Sequence, residues 1–218
     1  MNKDTLNIVQ NPVILTNLYI MRDKNTKSSE VRYAARKITS CLLYEASKSL
    51  PLVDKEVTTP LTTFMTKVVD EDVEIIISPI LRAGLIFTDE AVDILPQAVI
   101  RHIGMYRDEA TLKPVWYYNK LPKSLKDANR TYVFITDPML ATGNSLLESV
   151  RLYREKGVPI QNIKAISIIS APEGVENLQK HFPELEIITA TLDDHLNEKG
   201  YIVPGMGDAG DRMFNTTA

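Results

Sequence analysis

Residues 133–145, VFITDPMLATGNS, constrain the fold more than any other stretch of the chain. Val133 and Ile135 are apolar and β-prone, which is typical of a parallel strand that is buried on both faces. Pro138 is expected to end the ladder pairing of this strand. Residues 142–145 then bring small side chains, two hydroxyls and free backbone N–H groups to the start of a helix, which is how proteins bind an anion such as phosphate.

Asp137 follows this strand and precedes the Thr-Gly-x-Ser motif by five residues. A carboxylate at that position can accept hydrogen bonds from both hydroxyls of a ribose while the loop holds the 5-phosphate of the same sugar. The alternative interpretation is an ordinary strand, turn and capped helix without a ligand. The helix is expected to run to Gly157, a typical C-terminal stop.

The composition indicates an ordinary globular protein. A chain of 218 residues suits one domain with a sizeable core, and 44% hydrophobic and 24% charged residues are usual values for that class. The formal charge of -3 gives no support for a nucleic-acid partner. Cys41 is the only cysteine, which excludes an intrachain disulfide and a cysteine-built metal site.

The apolar runs of the chain are short. The first ten residues hold no apolar leader, and no run approaches 18 apolar residues. We therefore expect a cytoplasmic protein without a membrane partner.

Strand and helix patterns alternate along the chain, which predicts an α/β fold with a mostly parallel central sheet flanked by helices. Apolar residues at three-to-four spacing predict the first long helix, and an N-terminal arm or short helix precedes it. The predicted long elements are helices at residues 26–50 and 172–181, a peripheral hairpin or edge strands at residues 56–59 and 63–69, and strands at residues 74–78, 98–106, 163–170 and 186–190.

Arg82 follows a second buried strand, in the segment SPILRAG at residues 78–84. In open α/β sheets, ligands bind at the carboxyl ends of the strands. A guanidinium fork matches the oxygens of a phosphate group, so Arg82 is a candidate ligand-binding residue. A surface ion pair is the alternative role.

Residues 105–131 predict a β-hairpin that covers a site as a hood. The strand at residues 98–106 leads into a charged turn at residues 107–112, and an aromatic-rich strand returns at residues 114–121. Mobile hoods of this kind exclude water and complete a site when they close. The alternative is a static hairpin at the edge of the sheet.

Residues 200–212 contain four of the nine glycines. A tail with this glycine content is expected to fray. Glycine also lets the backbone approach a ligand closely, so the N–H and C=O groups of such a loop can read the edge of a flat base.

Five segments, in order along the chain, carry a family resemblance: ILRAG (80–84), GMYRDE (104–109), DPMLATG (137–143), APEG (171–174) and GYI to GDAGD (200–211). Together they resemble the uracil phosphoribosyltransferases, which belong to the type I phosphoribosyltransferase family. The last segment is the most specific, because other type I phosphoribosyltransferases lack it.

The resemblance implies transfer of the 5-phosphoribosyl group from phosphoribosyl diphosphate to uracil, which gives UMP and diphosphate. It implies catalytic roles for Asp208, Arg107 and Asp137. It implies that uracil is bound by Ile202, Gly207, Asp208 and Ala209. It implies that phosphoribosyl diphosphate is bound by Arg82, Arg107, Asp137, Pro138, Met139, Leu140, Ala141, Thr142, Gly143, Asn144, Ser145 and Asp208.

The resemblance also implies Mg²⁺ as a cofactor that is bound with phosphoribosyl diphosphate, and no dedicated protein metal site. It implies GTP as an effector and a homodimer or higher homo-oligomer. The predicted organisation is a single phosphoribosyltransferase domain over residues 1–218, with an N-terminal arm and helix at about 1–50 and a base-binding segment at about 190–218.

One residue departs from the family pattern. The family usually has Gly-Gly-Ser after the threonine, and this chain has Gly143-Asn144-Ser145. Asparagine tolerates the left-handed backbone region, so the loop is expected to keep its shape. The departure leaves open the alternative of a catalytically weak regulatory or nucleotide-sensing protein on the same fold. An enzyme for another base is a separate alternative.

Overall fold

The computed structural model of the chain describes residue 2 and residues 4–107, 114–119 and 121–216, with the side chains of all of these except residues 106, 107 and 114. The strands are β1 (Leu6–Ile8), β2 (Leu52–Thr58), β3 (Thr63–Val69), β4 (Glu74–Leu81), β5 (Val99–Ile100), β6 (Ile103–Arg107), β7 (Pro114–Asn119), β8 (Thr131–Thr136), β9 (Met139–Leu140), β10 (Ile163–Ser170), β11 (Glu186–Leu192), β12 (His195–Leu196) and β13 (Ile202–Val203).

The helices cover both faces of the sheet, and those that the sequence predicts begin and end near the predicted residues. They are α1 (Pro12–Arg22), α2 (Ser28–Ser47), α3 (Thr88–Ile94), α4 (Asn144–Glu155), α5 (Pro172–His181) and α6 (Ala209–Phe214). Within the described ranges, no helix is both long enough and apolar enough to cross a membrane.

The central sheet is mostly parallel, as the alternating pattern predicts. Its order is β1-β11-β10-β8-β4-β6-β7, with β5 beside β4 and β9 beside β10. The described pairs are parallel except for the hairpin β6–β7. Parallel pairing aligns the carboxyl ends of β4, β8 and β10 at one edge, so the residues that follow these strands come together there.

Two apolar cores lie on opposite faces of the sheet. Every residue of β10 is buried, which is typical of a strand covered on both sides. Helices α1, α2, α3 and α6 pack on one face, where the predicted stripe of α2 includes Val31, Ile38 and Leu42. Helices α4 and α5 pack on the other face through residues such as Val150 and Leu178.

The residues before the long helix form a helix of their own rather than an arm. Pro12 occupies the first turn of α1, and the side chain of Asn11 accepts a hydrogen bond from the backbone N–H of Ile14. Both features favour a helix start, because proline has no N–H to leave unpaired and asparagine satisfies one of the free donors.

The predicted strand over residues 98–106 is two short strands. Both lie beside β4, with Val99 opposite Ile76 and Ile103 opposite Ile80. The polar residues Arg101 and His102 separate them. Strand β6 then pairs with β7 as the hairpin that the hood prediction requires. The charged turn, residues 108–112, lies outside the described residues.

The hairpin β2–β3 forms a separate antiparallel sheet, which confirms the predicted peripheral hairpin. It exposes large apolar side chains, among them Leu61 at 95%, Met65 at 58% and Phe64 at 48% of their surface. An apolar surface of this kind is typical of a protein–protein contact.

Candidate active site

A cleft of about 790 Å³ lies at the carboxyl ends of the parallel strands. Its walls are residues that follow β4 and β8 and residues of the C-terminal segment, which we define as residues 193–216. The lining residues are Arg82, Ala83, Asp137, Met139, Ala141, Lys199, Gly200, Tyr201, Ile202, Gly207, Asp208, Ala209 and Gly210. The structure thus brings predicted residues from three distant parts of the sequence to one cavity.

Asp137 stands directly after β8 on the floor of this cleft. Burial raises the pKa of its carboxyl group to about 7, and a hydrogen bond from the backbone N–H of Met139 to Oδ1, at 3.2 Å, opposes that rise. A carboxyl group that titrates near neutral pH in a cleft is typical of a functional site.

Pro138 does not end the strand pairing, and that expectation was wrong. Met139 and Leu140 form β9, which pairs with Ile169 and Ser170 of β10. The carbonyl of Pro138 accepts hydrogen bonds from the N–H groups of Ile168 and Ile169, both at 3.0 Å. Proline removes only the donor of its own residue, so the ladder resumes after a short interruption.

Residues 141–143 connect β9 to α4, and together with the first two residues of α4 they form the stretch 141–145 that we call the phosphate loop. Gly143 caps α4 with φ at 76°, in the left-handed region that favours glycine. The first N–H groups of a helix have no acceptor within the helix, and they bear partial positive charge. The loop therefore offers donors to an anion beside Asp137.

Helix α5 supports the phosphate loop from behind. A Cβ atom on Gly174 would lie 2.3 Å from the carbonyl oxygen of Ala141, so only glycine allows this approach. The predicted residues Pro138 and Leu140 are buried below the loop, where Leu140 is 1% exposed and belongs to the core. Their side chains form the base of the loop and do not line the cleft.

Arg82 follows β4, lines the cleft and is exposed over 63% of its side chain. Its guanidinium nitrogen Nη2 lies 3.9 Å from Oδ1 of Asp211 in the C-terminal segment. An exposed ion pair of this length is weak, so an anion in the cleft can replace the carboxylate. The peptide bonds before Arg82 and Pro204 are cis.

The C-terminal segment is folded, which corrects the expectation that it frays. Strand β13 pairs with β12, and α6 follows at Ala209–Phe214, a helix that the sequence patterns did not predict. Asp208 is the N-cap of α6, where its Oδ1 accepts a hydrogen bond from the backbone N–H of Asp211 at 2.9 Å. The predicted catalytic carboxylate therefore also has a structural task.

An ion pair between a partly exposed arginine and a buried aspartate holds this segment to α1. Arg22, the last residue of α1, donates hydrogen bonds to both carboxylate oxygens of Asp193, at 2.6 and 2.8 Å. Arg22 also donates to the carbonyl of Gly205, and the N–H of Gly205 donates to Asp193, both at 2.8 Å. Bidentate pairing fixes orientation as well as distance, so these contacts set the position of the loop at Gly205.

Arg212 makes the reciprocal connection from α6. Its guanidinium donates hydrogen bonds to the carbonyl groups of Met21, Asp23 and Met206. The end of α1 is thereby joined to the C-terminal segment by one arginine from each side.

Arg22, Asp193 and Arg212 were missed from the sequence because no local pattern predicts such distant pairs. One signal could have found Asp193. It directly follows a buried strand, as Asp137 does.

Only the backbone of Arg107 lies within the described part of the chain. Its backbone ends β6 and is opposite Pro114 of β7, while its side chain is outside the described residues.

We predict that Asp193→Ala lowers the free energy of unfolding by about 3 kcal/mol, because it leaves the N–H of Gly205 without an acceptor and the Arg22 guanidinium with only the carbonyl of Gly205. Urea unfolding followed by circular dichroism measures this loss. Asp72→Ala is the matched control, since it breaks an exposed pair with Arg130 and should cost about 0.5 kcal/mol or less. Equal losses in both variants would contradict a structural role for the pair of Arg22 and Asp193.

We also predict a pH-dependent effect of Asp137→Asn. Because the folded protein keeps the Asp137 proton up to about pH 7 and the unfolded chain loses it near pH 4, this group reduces stability as the pH rises between these values. Asparagine keeps the shape and cannot ionise. The unfolding free energy of the variant, relative to that of the parent, should therefore rise by about 2–3 kcal/mol as the pH increases from 5 to 8. A difference in unfolding free energy that does not change with pH would contradict the raised pKa.

Comparison with known proteins identifies relatives over nearly the whole chain. A family model described as uracil phosphoribosyltransferase matches residues 8–216. The uracil phosphoribosyltransferase of Dictyoglomus thermophilum is 47% identical over 209 residues, which cover 96% of this chain and 98% of that protein. The uracil phosphoribosyltransferase of Lactococcus lactis subsp. lactis is 45% identical, with 96% and 97% covered.

Solved structures share the fold of this chain. The AQ2163 protein from Aquifex aeolicus superposes with a TM-score of 0.88 at 35% identity and covers 98% of this chain and 99% of its own. Adenine phosphoribosyltransferase from Trypanosoma brucei superposes with a TM-score of 0.55 at 13% identity, with 94% and 88% covered, and supports the fold alone.

Proposed function

The chain belongs to the uracil phosphoribosyltransferase family, and on that premise we propose that it transfers the 5-phosphoribosyl group from phosphoribosyl diphosphate to uracil, which gives UMP and diphosphate. One observation carries the proposal: Arg82, Asp137 and the glycine-rich C-terminal segment line the same cleft. Arg82 supplies a cation, Asp137 a carboxylate, and the C-terminal segment backbone hydrogen-bonding groups.

The phosphate loop and Asp137 are the proposed site of the ribose 5-phosphate. The free N–H groups at the start of α4 favour a phosphate dianion. Asp137 lies on the cleft floor next to the loop and can accept hydrogen bonds from the ribose hydroxyls. Such donors favour the ionised carboxylate, so we expect ribose binding to lower the pKa of Asp137 from its value of about 7. The resulting negative charge stabilises the positive charge that develops at the anomeric carbon.

Arg82 is the proposed contact for the leaving diphosphate. It projects from the end of β4 at the cleft wall, and its weak pairing with Asp211 leaves it able to bind phosphate oxygens. The reaction needs no protein nucleophile, because N1 of uracil bonds to the anomeric carbon as the bond from that carbon to the diphosphate breaks. The N1 proton is proposed to pass to the carboxylate of Asp208, which lines the cleft beside the base-binding residues. Positioning and charge neutralisation then provide most of the rate enhancement.

Mg²⁺ fits this site as a partner of the cosubstrate. It prefers oxygen ligands and keeps several waters, and the carboxylates of Asp137 and Asp208 are the oxygen donors of the cleft walls. Within the described part of the chain, no three His, Cys, Asp or Glu side chains group closely enough to hold a metal ion. We therefore propose that the diphosphate supplies much of the coordination, and that the ion neutralises its charge.

Arg107, on the hood hairpin, is proposed to be a second cationic contact for the diphosphate beside Arg82. The strand that carries it runs beside β4, with Gly104 opposite Leu81, so the hairpin β6–β7 starts at the same edge of the sheet as Arg82. A hairpin at this position can cover the bound cosubstrate and exclude water from the reaction.

The C-terminal segment is proposed to recognise the base through its backbone. Ile202, Gly207 and Ala209 line the cleft and carry no side-chain hydrogen-bonding group. Uracil has an N3–H donor between two carbonyl acceptors, whereas cytosine has an N3 acceptor and an amino donor. A backbone C=O flanked by N–H groups matches uracil, and a mismatched edge can lower the specificity constant by about 10⁴-fold.

The direct test is UMP formation from uracil and phosphoribosyl diphosphate, with cytosine and adenine as control bases. We expect turnover when the base is uracil and none when it is cytosine or adenine. The absence of UMP above background would contradict the proposed function and would favour the regulatory alternative, and equal turnover with cytosine would contradict backbone recognition of the base.

Asp208→Asn tests the catalytic carboxylate in the same assay. Asparagine is as good an N-cap as aspartate, so the variant keeps α6 and removes only the charge. We expect turnover to fall about 100-fold or more while uracil stays preferred. Asp194→Asn is the matched control, since it removes a charge from an exposed position of the same segment. Near-parental turnover of Asp208→Asn would show that its charge has no catalytic part.

We further propose that the chain forms a homodimer through the β2–β3 hairpin. All seven residues of β2 are exposed, and a lone two-stranded hairpin is marginally stable in water. A second copy would cover Leu61, Phe64 and Met65.

Three further expectations stay predictions: a single domain, a cytoplasmic location and regulation by GTP. UMP formation with and without GTP tests the last of these.

Light scattering at micromolar concentration should report at least twice the chain mass of 24.5 kDa. Met65→Asp should shift the protein towards monomer, because it places a charge within the exposed apolar surface of the hairpin. Val92→Asp, which changes an exposed apolar residue of α3, should not. A monomeric parent chain would contradict the proposed interface.

A further inference from the structure

Asn144 occupies the first position of α4, where the family resemblance predicts glycine. Its side chain is directed to α5, and its Oδ1 accepts a hydrogen bond from Nδ2 of Asn177 at 3.0 Å. The same amide group of Asn177 donates to the carbonyl of Thr142 at 2.8 Å. One side chain of α5 therefore holds both the unusual residue and the backbone of the phosphate loop.

An unrestrained asparagine at this position would compete with the ligand. Asparagine side chains near helix starts readily accept hydrogen bonds from neighbouring backbone N–H groups. The N–H groups of Asn144 and Ser145 are among the helix-start donors that a 5-phosphate would use. With its oxygen engaged by Asn177, Asn144 leaves these donors to the phosphate.

Helix α5 is close enough to the loop to impose this arrangement. Gly174 and Asn177 lie three residues apart on one face of α5. A Cβ atom on Gly143 would lie 2.8 Å from the carbonyl oxygen of Gly174, so loop and helix are in direct backbone contact. The position of Asn177 relative to Asn144 is thus set by packing rather than by a long, flexible side chain.

We propose that Asn177 is a positioning residue for phosphoribosyl diphosphate, which turns the side chain of Asn144 away from the phosphate loop and holds the carbonyl of Thr142. The inference rests on the proposed function, because that function supplies the phosphate. It explains how a chain with asparagine in place of the usual glycine keeps the loop donors available to its cosubstrate.

The test compares the parent chain with Asn177→Ala, Asn144→Gly and the double variant. Calorimetric titration with phosphoribosyl diphosphate gives Kd without the need for turnover, and steady-state rates give KM for uracil. Asn177→Ala should raise Kd for phosphoribosyl diphosphate about 5–10-fold, which corresponds to the loss of one or two hydrogen bonds. KM for uracil should change less than about twofold, because the base wall is built by the C-terminal segment.

Asn144→Gly removes the competing side chain, and its own Kd for phosphoribosyl diphosphate is the reference for the double variant. In that background, Asn177→Ala should raise Kd by no more than about 2–3-fold, because only the bond to Thr142 remains to be lost. Lys180→Ala, an exposed change one turn further along α5, is the matched control. Thermal unfolding of each variant verifies that it is folded.

The inference is overturned if Asn177→Ala leaves Kd unchanged, or raises it equally with asparagine and with glycine at position 144. Failure of the proposed function would look different. A parent chain that binds phosphoribosyl diphosphate but forms no UMP would contradict transferase activity and still allow the effect of Asn177 on binding to be measured. A parent chain that does not bind it contradicts both.

Discussion

The pairing of Arg22 with the buried Asp193 is the interaction on which the base side of the cleft depends. The C-terminal segment contains short β13, the six-residue α6 and a glycine-rich connection, none of which has a core of its own. Its position comes from apolar residues that join the main core, among them Met206 and Met213, and from the Asp193 side chain, 3% exposed, which with Arg22 ties Gly205 to the end of α1. Because a desolvated carboxylate must keep its partner, small displacements of this loop are costly. That rigidity lets backbone groups act as specific hydrogen-bonding partners for a base.

The cosubstrate side of the cleft is built by a different principle. Asp137 and the phosphate loop are positioned by the parallel pairing of β8 and β9 with β10, and by the close approach of α5 at Gly174. Backbone ladders and helix packing fix this wall, whereas arginine side chains fix the other. We therefore regard the two walls as largely independent units that meet at the cleft, where the end of β4 contributes Arg82.

Much of the fold could be predicted because its patterns are local. The apolar runs of β4 and β10 and the spacing in α2 and α5 reflect burial that the sequence records directly. Asp137 and Arg82 were found because a polar residue after a buried strand points to the ligand edge of the sheet. The resumption of pairing after Pro138, the order of the C-terminal segment and the contacts of Arg22 and Asn177 depend on partners up to 191 residues away. No single-sequence pattern encodes such contacts.

The independence of the two walls is the central claim, and Arg22→Lys tests it most directly. Lysine keeps the charge but cannot make the bidentate pair with Asp193, so the base wall should loosen while the fold persists. We predict that KM for uracil rises about tenfold while Kd for phosphoribosyl diphosphate stays within about twofold of the parent. Parallel changes in both constants, or an unchanged KM for uracil, would contradict the claim.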